Sequence, residues 1–60
     1  MKKIKIRILR MPDFGGSSHN LYCEMVLGLK YAREEGDIDE VPKSRLKYLK
    51  LEGVEFEKVD

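Results

Sequence analysis

One cysteine is all the chain contains, which excludes an internal disulfide and, with no Cys-x-x-Cys or comparable spacing, gives no structural metal centre to expect. No apolar run is long enough to span a membrane. The apolar residues near the start alternate with Lys and Arg instead of forming the continuous block of a secretory signal. Repeats, low-complexity tracts and linker-like composition are missing too, so residues 1–60 read as one domain. Nor is there an excess of charge of one sign: twelve basic against eleven acidic side chains leave a net charge of +1, too little to demand a polyanionic partner. These absences predict a soluble, reduced, cytoplasmic protein with no cofactor, no metal and no membrane association. A chain this short buries only about 60% of its unfolded surface. Lacking the usual staples of small proteins, it gains from self-association or from a partner.

What is present begins with a strand. In Lys3-Ile4-Lys5-Ile6-Arg7-Ile8 the side chains alternate with a period of two, giving one isoleucine face and one basic face. Pro12 and the pair Gly15-Gly16 end it. A helix is then predicted from Ser17 or Ser18, whose hydroxyl can accept from the free amides of the first turn, to about Glu35, with Gly36 as the stop. Leu21, Met25, Leu29 and Ala32, flanked by Tyr22 and Val26, form an apolar face at helical spacing that should cover the isoleucines. Cys23, Leu27 and Tyr31 recur four residues apart as a second stripe on another side of that helix, more than one small sheet can bury.

Residues 41–51 admit two readings. Pro42 can open a short helix that Gly53 closes, or Tyr48–Leu51 can be a strand joined through Glu52-Gly53 to a last strand over Val54–Val59. The strand reading is preferred. In the last strand Val54 and Phe56 point one way and Glu55 and Glu57 the other, so the glutamates can face Lys3, Lys5 and Arg7 if the terminal strands pair. The predicted fold class is α+β: a two- or three-stranded sheet, ordered βαββ or βααβ, with one long helix packed on one face.

Candidate sites are few, and none has the specificity of an enzyme signature. Gly15, Gly16, Ser17 and Ser18 could present free amides to a phosphate or carboxylate, although no lysine follows as in a Walker loop. Asp13-Phe14-Gly15 spells a kinase tripeptide, which means nothing in a chain with no room for the other kinase parts. His19 and Cys23, four apart, would share a helix face, an arrangement that can activate a thiol or supply half a metal site shared across a dimer. Glu34, Glu35, Asp37, Asp39 and Glu40 form an acidic run without the ligand and glycine spacing of a calcium loop. Lys3, Lys5, Arg7 and Arg10 could meet nucleic acid, since paired β-ribbons can enter a major groove. Against this, the acidic last strand can neutralise that face, and Tyr22, Tyr31 and Tyr48 do not interleave with the basic residues as a stacking platform would.

The functional expectation is a non-enzymatic protein-binding regulator or inhibitor, homodimeric or bound to another protein. It would act through Cys23, Leu27 and Tyr31 or through a free sheet edge. Leu27→Glu should then abolish association and leave the fold mostly intact. The alternative is a dimeric nucleic-acid-binding regulator using Lys3, Lys5, Arg7 and Arg10.

Overall fold

A computed structural model describes residues 2–59. It is a small α+β fold in which three antiparallel strands, β1 (Lys3–Arg10), β2 (Ile38–Pro42) and β3 (Glu55–Lys58), lie in the order β2-β1-β3. Two short helices, α1 (His19–Met25) and α2 (Lys43–Leu51), complete the order β-α-β-α-β. Neither of the two arrangements read from the sequence contains β2. No helix among the described residues is long and apolar enough to cross a membrane.

β1 behaves as its alternation dictates. Ile6 and Ile8 are buried, while Lys3, Lys5 and Arg7 stand on the outer face. The expected charge pairing with β3 holds in a shifted register: Arg7 lies opposite Glu57 and Arg10 opposite Glu55, with ion pairs of 3.0 and 3.8 Å. An irregularity between Ile8 and Arg10 sets this offset. Lys3 and Lys5 instead face β2, opposite Pro42 and Glu40.

The long helix is corrected to a single short one. Gly28, at φ +73°, reverses the chain just past α1, and the Leu29 N–H closes onto the Cys23 carbonyl at 2.9 Å. Residues 26–37 then run as an irregular loop that sends Leu27, Leu29 and Ala32 into the core. Of the expected helical face, Leu21 and Met25 are 58% and 72% exposed. Neither serine supplies a side-chain cap to α1.

The strand preferred for 48–51 is also corrected, because Lys43–Leu51 is helical. Pro42, extended at φ −60° and ψ 148°, precedes its first turn, where a missing N–H costs nothing. Gly53, at φ +91°, ends it in a Schellman motif: its N–H donates to the Lys50 carbonyl at 3.1 Å, and the Val54 N–H donates to the Leu49 carbonyl at 3.0 Å. Leu46 and Leu49 complete a core with Ile6, Ile8, Val41, Val54 and Cys23.

Candidate binding cleft beside the second strand

β2 reads Ile38-Asp39-Glu40-Val41, and its pleat points Asp39 and Val41 inward and Ile38 and Glu40 outward. A carboxylate at an inward position has to be hydrogen-bonded. Asp39 Oδ2 accepts the backbone N–H groups of Tyr31 at 2.7 Å and Ala32 at 2.9 Å, and Oδ1 accepts that of Glu40 at 2.7 Å. Asp37 repeats the device one turn of loop away, its Oδ2 accepting from Arg33 N–H at 2.9 Å and Glu34 N–H at 3.1 Å. The Arg33 guanidinium in turn donates to the carbonyls of Leu29, Lys30 and Ala32. Two acids of the acidic run thus take the place of the helical ladder that residues 30–34 lack.

This clamping places Tyr31, 73% exposed, at a cleft of about 330 Å³ lined also by Lys3, Lys5, Lys30, Ile38 and Glu40. Ile38 is 45% exposed beside it. None of the three lysines forms an ion pair among the described residues, although Glu40 lies opposite Lys5. The cleft therefore offers an aromatic ring and an aliphatic side chain inside a rim of three lysines against one exposed glutamate. β2 is also an edge of the sheet, so its outer backbone groups lie next to the cleft.

The sequence-predicted sites are rearranged by this fold. Cys23 and Leu27 are fully buried and Tyr31 is exposed, so the three do not form one surface. With Leu27 in the core, Leu27→Glu would bury a charge and break the fold, not merely an interface. Lys3 and Lys5 join Tyr31 in the cleft, whereas Arg7 and Arg10 are paired with glutamates, which divides the basic strand in two. Lys30 and Ile38 were missed, and Glu40 was read only as part of the acidic run. No period-two signal marked this strand, since its apolar residues Ile38 and Val41 fall on opposite faces and an aspartate takes the inward place where an apolar residue is usual.

The glycine turn already holds a carboxylate. The amides of Gly15 and Gly16 both donate to Asp13 Oδ1 at 3.0 Å, and these bonds hold the Asp13 carboxyl below its ordinary value. The donors proposed for an external anion at Gly15 and Gly16 are thus turned onto the chain itself. Ser17 and Ser18 lie in the 3-10 turn Gly16–Ser18, where the Ser18 N–H donates to the Gly15 carbonyl at 3.0 Å.

His19 and Cys23 do approach, Nε2 to Sγ being 3.6 Å. The imidazole is otherwise engaged: Nδ1 accepts the Phe14 N–H at 3.2 Å, which requires Nε2 to carry the proton, and Nε2–H donates to the Arg33 carbonyl at 2.6 Å. It ties the 11–16 segment to the 26–37 loop, with the Phe14 ring stacked between His19 and Tyr22 at 5.8 and 4.4 Å. Burial pushes the Cys23 thiol up, against a smaller opposing pull from Arg33. A thiol raised in this way beside a histidine with no free acceptor nitrogen is not an activated nucleophile. Comparison with protein-family models, curated proteins and solved structures finds no match.

Proposed function

We propose that the chain is a non-enzymatic binding module, a small regulator or inhibitor that acts by docking an acidic segment of a partner protein on the Tyr31–Ile38 cleft. One observation carries the reading: an exposed tyrosine fixed by its own backbone to a buried aspartate and ringed by three lysines without ion-pair partners among the described residues. Tyrosine is enriched at interface centres because it supplies a large contact area with few rotatable bonds. Holding its backbone reduces the ordering that binding would otherwise cost. The surrounding lysines select for acidic partners and speed encounter. The engagement of His19, Asp13 and Cys23 in the fold's own contacts supports a binding role over a catalytic one.

The test is photo-crosslinking from position 31. With a benzoyl-phenylalanine in place of Tyr31, the full chain should form discrete protein adducts in lysate, with acid-rich crosslinked peptides, and Lys3→Glu with Lys5→Glu should abolish them. An adduct of twice the chain's mass makes the partner a second copy. Adducts that are absent, or that survive both charge reversals, refute the cleft as the docking surface.

A further inference from the structure

A second basic surface lies on the opposite edge of the sheet, where α2 meets β3. Its helix carries Lys43, Arg45, Lys47 and Lys50 within nine residues and no acid. Arg45 is drawn away, donating to the Val26 carbonyl at 3.3 Å and lying 5.3 Å from the centre of the Tyr48 ring. Lys43, Lys47 and Lys50 fall at i, i+4 and i+7, along one stripe of the helix. With Lys58 of β3 they line a groove of about 310 Å³ whose floor includes Phe56 and Leu46. Among the described residues none of these four lysines meets a carboxylate in an ion pair. The contrast with Arg7 and Arg10, each matched to a glutamate on β3, makes this groove a second uncompensated cationic surface in addition to the Tyr31 cleft.

We infer that the α2–β3 groove binds the sugar–phosphate backbone of a double-stranded nucleic acid, independently of sequence. Four properties lead there. First, the groove presents lysine ammoniums, compact point charges that meet phosphates without the planar fork by which arginine reads guanine edges, which fits binding independent of sequence. Second, the lysines advance by roughly 6 Å and then 4.5 Å along the helix axis, given its rise per residue. Phosphates on one duplex strand advance by about 3.4 Å of axis per nucleotide, so a lysine meets every one to two phosphates. Third, the aromatic rings of α2 and β3 already have cations over them, Lys50 6.0 Å from the centre of the Phe56 ring and Arg45 5.3 Å from that of Tyr48, which disfavours stacking of an unpaired base. Fourth, cations stand on both walls of a concave groove, which a rod-like backbone can enter and a flat lipid surface cannot.

The experiment is fluorescence anisotropy of the full chain with two labelled 20-base-pair DNA duplexes of unrelated sequence, over a series of salt concentrations. Both should bind alike, in the range of about 10⁻⁴ to 10⁻⁶ M, with a slope of log K against log salt of about −3 to −4, as four phosphate contacts require. Lys43→Glu with Lys47→Glu, both at exposed positions, should weaken binding at least tenfold and reduce the slope by about 2 while circular dichroism stays unchanged. Lys3→Glu with Lys5→Glu should leave duplex binding within about twofold of the parent, which separates this groove from the Tyr31 cleft. The inference fails if neither duplex binds at low salt, or if the Lys3 and Lys5 reversals remove binding as effectively as those on α2. It fails equally if single strands, polyglutamate or phosphatidylserine vesicles bind as tightly as the duplexes.

Discussion

Asp39 holds Tyr31 by its backbone, the buried Oδ2 accepting the Tyr31 N–H at 2.7 Å while the tyrosine ring stands in solvent. The residue that positions the anchor of the proposed docking cleft is thus invisible from the surface. Removing the carboxylate leaves the amides of Tyr31, Ala32 and Glu40 without their acceptor. Asp39→Ala should lower stability by about 2–4 kcal/mol, given a cost of roughly 1–3 kcal/mol for each buried donor left unsatisfied and some rescue by water. Urea unfolding followed by circular dichroism measures this. A loss below about 1 kcal/mol would show that the loop stands without the carboxylate.

Tyr22 titrates late. Its hydroxyl donates to Glu52 Oε1 at 2.6 Å, and that bond to a carboxylate pushes its pKa up to about 12, against about 10 for an unfolded phenol. Because the folded value is the higher one, the contribution to stability is complete below about pH 10 and disappears as pH rises toward 12. Absorbance titration at alkaline pH should show one phenol ionising near 12, and Tyr22→Phe should delete that step. Asp13 behaves in the opposite sense. Its lowered folded value makes its contribution complete above the ordinary carboxylate range and lost as pH falls through and below it, so Asp13→Ala should flatten the acid limb of stability.

Cys23 reports on global opening. With its thiol fully buried and made less acidic by desolvation, it should react with a disulfide reagent at neutral pH only as fast as the domain opens, and at the free-thiol rate in denaturant. Fast reaction in native buffer would mean that α1 detaches from the core on its own. Leu27→Ala, in the same core, should cost about 2–5 kcal/mol and accelerate that reaction in proportion.

Gly28 is needed twice over. It sits at φ +73°, and a Cβ there would come within 2.9 Å of Arg45 Nε. Gly36, at φ +92°, has open space around it. Gly28→Ala should cost more than Gly36→Ala, the backbone part being about 1–2 kcal/mol at either site. The difference between their unfolding midpoints isolates the displacement of Arg45.

Some of the fold could be read from the residues. The period-two pattern of Ile4, Ile6 and Ile8 and the glutamates of the last strand gave β1, β3 and the sense of their charge pairing. Three particulars escaped for physical reasons. Apolar spacing over 21–32 mimics a helix because Leu27, Leu29 and Ala32 are core residues, yet the left-handed Gly28 diverts the chain before Leu29 and Ala32 are reached. β2 was hidden by Asp39, an inward residue whose solvation is replaced by the amide of its neighbour Glu40 and by those of Tyr31 and Ala32, which only the folded loop brings to it. In α2 the choice turned on Pro42 and Gly53, and the capping signals were right where the short apolar run was ambiguous. Lys43, Lys47 and Lys50 form a stripe only once that helix is granted. Of the proposed cleft, Tyr31, Lys3 and Lys5 had been singled out, but under two separate readings, and tertiary structure alone joins them.

The loop between Gly28 and Ile38 supplies core residues without a hydrogen-bond ladder of its own, the amides of residues 31–34 being held by aspartates at 37 and 39. The protection of Tyr31 and Ala32 against hydrogen exchange is therefore inherited from β2. When the loop parts from β2, the amides of Tyr31 and Ala32 lose the Asp39 acceptor together, while those of Arg33 and Glu34 keep Asp37 within the loop. The sheet edge and the loop form one cooperative unit, and whatever grips the edge tightens the whole flank of the molecule.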